Sequence, residues 1–101
     1  MTITAIVKAT ILSNKKDELR TIANILENDF APHEAGCLQY ESFIDGSTFI
    51  TIERWENQES LDMHLTKEHV KKYIPLMKEC IENGKFDVQF IKGGDLSFIQ
   101  I

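Results

Sequence analysis

This chain has little of what marks the specialised protein classes. Its 101 residues include two cysteines, two prolines and one tryptophan. Cys37 and Cys80 show no C-x-x-C spacing and no second pair, which excludes a zinc ribbon or a disulfide framework as the organising device. Both are read as small buried apolar residues. Positive charge is also scarce: 11 Lys and Arg stand against 16 Asp and Glu, for a net charge of −5. Phosphate binding needs clustered cations that release counterions, so nucleic acid is excluded as a partner. The pairs Lys15-Lys16 and Lys71-Lys72 solvate helix faces. No apolar run approaches the ~20 residues of a membrane span, and the first residues lack the charged and cleavable parts of a signal peptide. No membrane partner is expected, and a cytoplasmic location is the default. There is no Gly-rich nucleotide fingerprint and no sequence cluster of metal ligands, so neither cofactor nor metal is expected.

What is present fits an ordinary globular domain. With 43% hydrophobic and 27% charged residues the chain has too few polar tracts to be disordered. Residues 1–101 read as one domain. A chain of this length buries only about two-thirds of the surface it exposes when unfolded, so association would add useful burial.

Residues 2–12, TITAIVKATIL, are β-branched and nearly all apolar, which predicts a first strand buried on both faces. From Lys15 to Phe30 the set Leu19, Ile22, Ala23, Leu26 and Phe30 follows the spacing of an amphipathic helix, with Ser13 or Asn14 placed as N-cap. That helix ends near Pro32 to Gly36, with His33 in its last turn as a favourable partner of the helix dipole. CLQYESFI and TFITIERW flank Asp45-Gly46-Ser47, a hairpin signal. Asn57 is positioned to cap a short helix from Gln58 to Leu65, and Thr66 to cap another beginning near Lys67, with Glu68 in its first turn. Val70, Tyr73, Ile74, Met77 and Ile81 repeat the apolar spacing, while Pro75 predicts a kink. Asn83-Gly84 stops the helix. Lys85–Lys92 reads as a last strand with Phe86, Val88 and Phe90 on one face, and Gly93-Gly94 releases an apolar tail.

The order β, α, β, β, α, α, β is that of an α+β, ferredoxin-like split βαβ fold, an antiparallel sheet with helices on one face. The strands carry apolar residues on both faces, so the uncovered face is expected to meet the same surface of a second subunit and form a homodimer. The domain core spans residues 3–92, and the tail 93–101 is placed to cross onto the partner.

Most of the chemistry sits between Phe49 and Tyr73. Glu53 and Trp55 share one face of a strand, while His64 and His69 follow within a turn or two of helix. An acid, an indole, two imidazoles and the Tyr73 phenol can thus line one pocket. A spacing of five is wrong for two metal ligands on one continuous helix; a break near Thr66 would change that. Plainer roles compete. Trp55 and Phe49 suit a core, either histidine can bond backbone carbonyls or bridge subunits, and Tyr73 lies in its helix's apolar stripe. Glu53 is the most telling, since a carboxylate within FITIERW needs a partner, with Arg54 or a lysine at a subunit contact as the structural alternative.

Gly36-Cys37 before the second strand, Phe49, Glu53 and Trp55 in the third, then Leu61, His64-Leu65, His69, Lys71 and Tyr73 together resemble the antibiotic biosynthesis monooxygenase domain over residues 3–92. The pattern E-x-W followed by H-L-x-x-x-H-x-K-x-Y resembles its small quinol monooxygenases. The resemblance implies a dimeric α/β barrel. The family also contains haem-degrading enzymes, whose ligating histidine would fall near Ile74 and whose early asparagine has no counterpart among Ile6, Val7 and Lys8. It contains an isomerase of a phosphorylated autoinducer sugar too, which shares His64 and His69; Trp55 suits an aromatic ring better.

The resemblance implies oxygenation of a small quinol or polyphenol by dioxygen without a cofactor, the substrate itself supplying electrons. Such chemistry needs a base, donors for developing charge and an apolar slot. His64 or His69 is the expected base, Glu53 would fix a tautomer, Tyr73 would donate to an oxyanion, and Trp55 with Phe49 would wall the ring. Two alternatives stay open: an isomerase on a phosphorylated carbonyl compound, and a non-catalytic dimeric module that binds a small aromatic ligand.

Overall fold

The computed structural model describes residues 1–101. Five strands form one antiparallel sheet in the order β2-β3-β1-β4-β5: β1 Ile3–Thr10, β2 Cys37–Asp45, β3 Thr48–Trp55, β4 Asp87–Lys92 and β5 Asp95–Gln100. Three helices, α1 Lys16–Ile25, α2 Gln58–Leu65 and α3 Glu68–Lys78, cover one face. This is the expected ferredoxin-like α+β fold.

Side chains alternate across the sheet, and β1 shows it: Ile3, Ala5 and Ala9 are buried, while Thr4 and Ile6 are only partly covered. The strand is therefore not buried equally on both sides. Antiparallel partners share a face. Ala5 opposite Glu53 and Phe90 therefore places all three under the helices, and Ile6 opposite Ile52 lies on the open side. Leu19 and Ile22 of α1, Leu26 just beyond it and Met77 of α3 meet Phe49, Phe86 and Val88 in the main core. Ile3, Trp55 and Leu61 form a smaller cluster beside it.

Helix ends differ from expectation in instructive ways. Ser13 and Asn14 form a turn, and the N-cap position of α1 is Lys15, with no side-chain cap; Asp17 and Glu18 supply the negative charge that the first turn favours. The last part of the expected helix widens into a π turn, Leu26–Phe30, followed by a 3₁₀ turn, Ala31–His33. Asn57 caps α2 by accepting from the Ser60 amide at 2.9 Å. Thr66 does not cap α3: its hydroxyl donates back to the Met63 carbonyl at 2.7 Å, so it closes α2, and Lys67 precedes α3. α3 runs through Pro75 without interruption and ends at Lys78. Ile81 lies beyond it, bridging to Ile11.

The tail is the largest departure. Gly93-Gly94 makes a two-residue turn, Gly93 at φ +60°, and residues 95–100 return along β4 with Lys92 opposite Asp95 and Asp87 opposite Gln100. Gly-Gly is itself a hairpin turn sequence, and the alternation in DLSFIQ completes the signal. The tail is thus the edge strand of its own sheet. No helix is long and apolar enough to cross a membrane.

Candidate active site

Between the helices and the inner sheet face lies a cavity of about 140 Å³, and thirteen of its sixteen lining residues are hydrophobic. Ala5, Val7, Phe49, Phe86, Val88 and Phe90 rise from the sheet, Leu61, Leu65, Val70 and Ile74 come down from α2 and α3, and Ile101 closes one side. The ionisable side chains on its wall are Tyr40, Glu53 and His64, and Thr51 adds a hydroxyl.

His64 lies in the last turn of α2, and its side chain is buried. Its Nδ1 lies 2.9 Å and 3.0 Å from the two carboxylate oxygens of Glu34. A carboxylate only accepts hydrogen bonds, so the ring hydrogen belongs on Nδ1. Its Nε2 stands 3.8 Å from Glu53 Oε1. Trp55 lies against the imidazole, with ring centroids 4.5 Å apart, and its Nε1 donates to Glu53 Oε1 at 3.1 Å. Glu53 on β3 is therefore fixed by one neighbour and faces another. Burial pushes its carboxyl above the ordinary carboxylate range and Glu34 adds to the rise, while His64 and the Trp55 N–H oppose it.

Glu34 comes from the loop after the 3₁₀ turn. Gly36, two residues on, takes φ +79°, and a Cβ there would collide with Ser60 Oγ. Only glycine lets the loop lie this close to α2. The Gly36 carbonyl also accepts from the Glu56 amide at 2.8 Å, which ties the loop to the end of β3. His69, one residue into α3, donates from Nε2 to Glu34 Oε2 at 3.2 Å and stacks on Phe30 at 4.3 Å. The break at Thr66 and Lys67 turns α3 so that both imidazoles reach one carboxylate, which a continuous helix would not allow.

Of the residues singled out in the sequence, Phe49, Glu53 and His64 line the cavity. Trp55 is fully buried behind Glu53 and acts through its contacts with that carboxylate and with His64. His69 joins the Glu34 cluster outside the cavity lining. Tyr73 also lies outside it: its ring sits 6.0 Å from that of Phe30, with Lys72 Nζ 5.0 Å above it. The tautomer-fixing contact expected of Glu53 is made by Glu34, which sequence reading passed over because a lone acid in a loop carries no periodicity. Tyr40 was missed as well. It sits in β2 opposite Glu53, its ring 6.0 Å from that of His64. Burial, and then the charges of Glu53 and Glu34, push its phenol well above the ordinary value.

All of these residues fall within the part of the sequence, residues 2–76, that matches the profile of antibiotic biosynthesis monooxygenase. The chain belongs to that family. Solved structures of similar fold span nearly the whole molecule. A conserved protein from Methanosarcina mazei Go1 gives a TM-score of 0.85 at 22% identity, covering 91% of this chain and 92% of that one. Rv0793 from Mycobacterium tuberculosis gives 0.84 at 18% identity, over 94% and 97%. A structure described as antibiotic biosynthesis monooxygenase gives 0.73 at 22% identity, over 98% and 95%. No curated protein matches the sequence. Within the family's fold, this chain places the His64 imidazole, held at Nδ1 by Glu34, on the wall of an apolar cavity.

Proposed function

We propose that this chain is a cofactor-independent monooxygenase that oxidises a small hydroquinone or polyphenol with dioxygen, with His64 as base, and that it works as a homodimer. One observation carries the chemistry: on the wall of a cavity lined mostly by hydrophobic side chains, Glu34 holds His64 at Nδ1, 2.9 Å away, which leaves Nε2 to act as the base. A neutral imidazole so oriented accepts a phenolic proton, and the carboxylate behind it stabilises the imidazolium that forms. The resulting phenolate is electron-rich enough to reduce dioxygen. For a hydroquinone the balance is C₆H₆O₂ plus O₂ giving the hydroxyquinone C₆H₄O₃ plus H₂O. One oxygen atom enters the ring, the other leaves as water, and the substrate supplies all four electrons. Glu53 and Tyr40 are placed to return protons to reduced oxygen.

Size limits the substrate. An apolar cavity of about 150 Å³ holds one benzene ring, so the cavity of about 140 Å³ suits a single ring. The alternative of a phosphorylated carbonyl substrate is disfavoured because no lysine or arginine lines the cavity to offset phosphate charge. For the homodimer, support comes from the open sheet face, where Ile6, Ile50, Ile52 and Ile91 are only partly covered and Phe43, Leu96 and Phe98 are exposed. A monomer by light scattering at micromolar concentration would reject that part.

The test is oxygen uptake by metal-stripped protein with a panel of single-ring hydroquinones, corrected for autoxidation. Enzyme-dependent uptake that is lost in His64→Ala is expected. Undiminished uptake in that variant would remove the mechanism, turnover under nitrogen would point to an isomerase, and saturable Trp55 quenching with no product would leave a binding module.

A further inference from the structure

The Glu34, His64 and His69 cluster contains more than proton abstraction uses. One imidazole needs one carboxylate to fix its tautomer, yet here a second imidazole converges on the same group from another helix. A carboxylate oxygen, His64 Nδ1 and His69 Nε2 all lie within 4.8 Å of one another. The three side chains are 6%, 7% and 13% exposed. They come from three separate segments, so their meeting is a product of the tertiary fold.

We propose that Glu34, His64 and His69 are a binding site for a divalent first-row transition-metal ion, and that the bound ion turns off His64 as a base. The donor set decides the class. Two imidazoles and one carboxylate suit zinc, cobalt or iron(II), whereas magnesium and calcium call for oxygen ligands throughout. The spacing is suitable too. With metal–ligand bonds of roughly 2.0–2.1 Å, neighbouring ligands of a tetrahedral ion stand about 3.3 Å apart, and the carboxylate–imidazole separations are 2.9 and 3.2 Å. The three donor atoms lie within 4.8 Å of one another, so the two imidazoles close toward each other by up to roughly 1.5 Å as the ion enters and replaces the two ring hydrogens now pointing at Glu34. The surroundings match those of metal-bound histidines, whose second nitrogen usually faces a carboxylate. Here Glu53 stands 3.8 Å from His64 Nε2 and is itself held by Trp55. Phe30, stacked at 4.3 Å with an interplanar angle of 14°, sets the plane of the His69 ring.

Occupancy reverses the roles of the two His64 nitrogens. With the ion on Nδ1, the hydrogen sits on Nε2, directed toward Glu53 and the cavity. That nitrogen then donates and accepts nothing, so the metal-bound form does not deprotonate a phenol. This second clause rests on the oxidation proposed above; the metal site itself does not.

Metal-free protein titrated with Zn²⁺ in a calorimeter, and with Co²⁺ while its visible absorption is followed, tests the site. One ion per chain is expected, with a Co²⁺ spectrum of low coordination number and with Zn²⁺-induced shifts of the His64 and His69 ring nitrogens in NMR spectra of the unaltered protein. Glu34→Gln and His69→Ala, confirmed as folded by circular dichroism, are expected to weaken binding at least tenfold, and His33→Ala to leave it unchanged. No saturation up to 100 µM ion (roughly the range of weak adventitious binding), or shifts confined to His33, overturns the site. So does equal affinity in the Glu34 and His69 variants. Where oxygen uptake is measurable, it is expected to fall in proportion to occupancy, and full activity in loaded protein overturns the switch. If no hydroquinone supports uptake at all, the functional proposal fails while the titration still decides the metal site.

Discussion

Replacing Glu34 by glutamine tests the central geometric argument without touching the cavity wall. Both carboxylate oxygens of Glu34 stand within 3.0 Å of His64 Nδ1. A hydrogen bond to a charged acceptor contributes about 1.5–3 kcal/mol, and at about 1.4 kcal/mol per decade this biases His64 toward the Nδ1–H form by about ten- to a hundredfold. Glutamine presents an oxygen and an NH₂ group to the same nitrogen, so either tautomer finds a partner and the bias disappears. The negative charge that steadies the imidazolium is lost with it. Base catalysis of this kind is worth about 10²–10⁴ in rate, and a comparable carboxylate-to-amide change behind a catalytic imidazole costs about 10⁴. We expect Glu34→Gln to lower kcat for hydroquinone oxidation by about 10²–10⁴, or about 3–5 kcal/mol of transition-state stabilisation, with a small change in KM. Two assays apply: oxygen uptake, and ¹⁵N NMR of the His64 ring. The reasoning is refuted if the unaltered protein carries its hydrogen on Nε2, or if the variant keeps activity within threefold.

Three further outcomes follow from the same structure. The Glu53 carboxyl is raised by burial, so between the ordinary carboxylate pKa and its raised value the folded chain keeps a proton that the unfolded chain releases. Stability contributed by that proton is present at low pH and is lost as pH rises through this window. Glu53→Gln should therefore raise the melting temperature at pH 8 and have little effect near pH 4, and a uniform effect at both would contradict it. Gly36→Ala combines a left-handed backbone, about 1–2 kcal/mol for a residue with a Cβ, with a clash against Ser60 Oγ that disturbs the Asn57 cap, worth about 1 kcal/mol. A loss of about 2–3 kcal/mol in urea unfolding is expected, and adding Ser60→Gly should restore the cap-related part alone. Burial, with Glu34 and Glu53, pushes the Cys37 thiol up to about 11, and thiolate is the reactive form. Alkylation of Cys37 by iodoacetamide should therefore keep rising about tenfold per pH unit from pH 8 to 10; a plateau by pH 9 would show an ordinary thiol.

The fold was legible because period and punctuation agreed along most of the chain. Leu19, Ile22, Ala23 and Leu26 could only serve a helix with one buried side, and Gly46 could only turn TFITIERW back on CLQYESFI. The hairpin to β5 was legible in principle, since Gly93-Gly94 carries the same kind of signal, but an apolar stretch at the end of a chain reads as easily as an arm. The site was legible in half. Glu53, Trp55 and His64 stand out because an acid and an imidazole within apolar periodic segments demand partners. Glu34 does not, because its position depends on the Gly36 loop closing against Ser60, a contact between segments 24 residues apart. The pairing of His64 with His69 depended on where Thr66 spent its hydroxyl. That is a choice between two local hydrogen bonds of similar strength, and composition does not decide it.

Ile101 on the cavity wall has a consequence for how such a site can change over time. The clustered polar side chains Glu34, Tyr40, Glu53 and His64 all come from residues 2–76, the stretch that matches the family. Met77, Phe86, Val88, Phe90 and Ile101 lie beyond it and complete the wall that Ala5, Val7, Phe49, Leu61, Val70 and Ile74 begin. The edge strand that brings Ile101 into place is exposed along its whole length and joined through a two-glycine turn. A different side chain at position 101 changes that side of the chamber without touching Glu34, Glu53 or His64. The acid–imidazole cluster and one side of the chamber therefore come from different parts of the chain, so that side can be reshaped while the cluster stays in place.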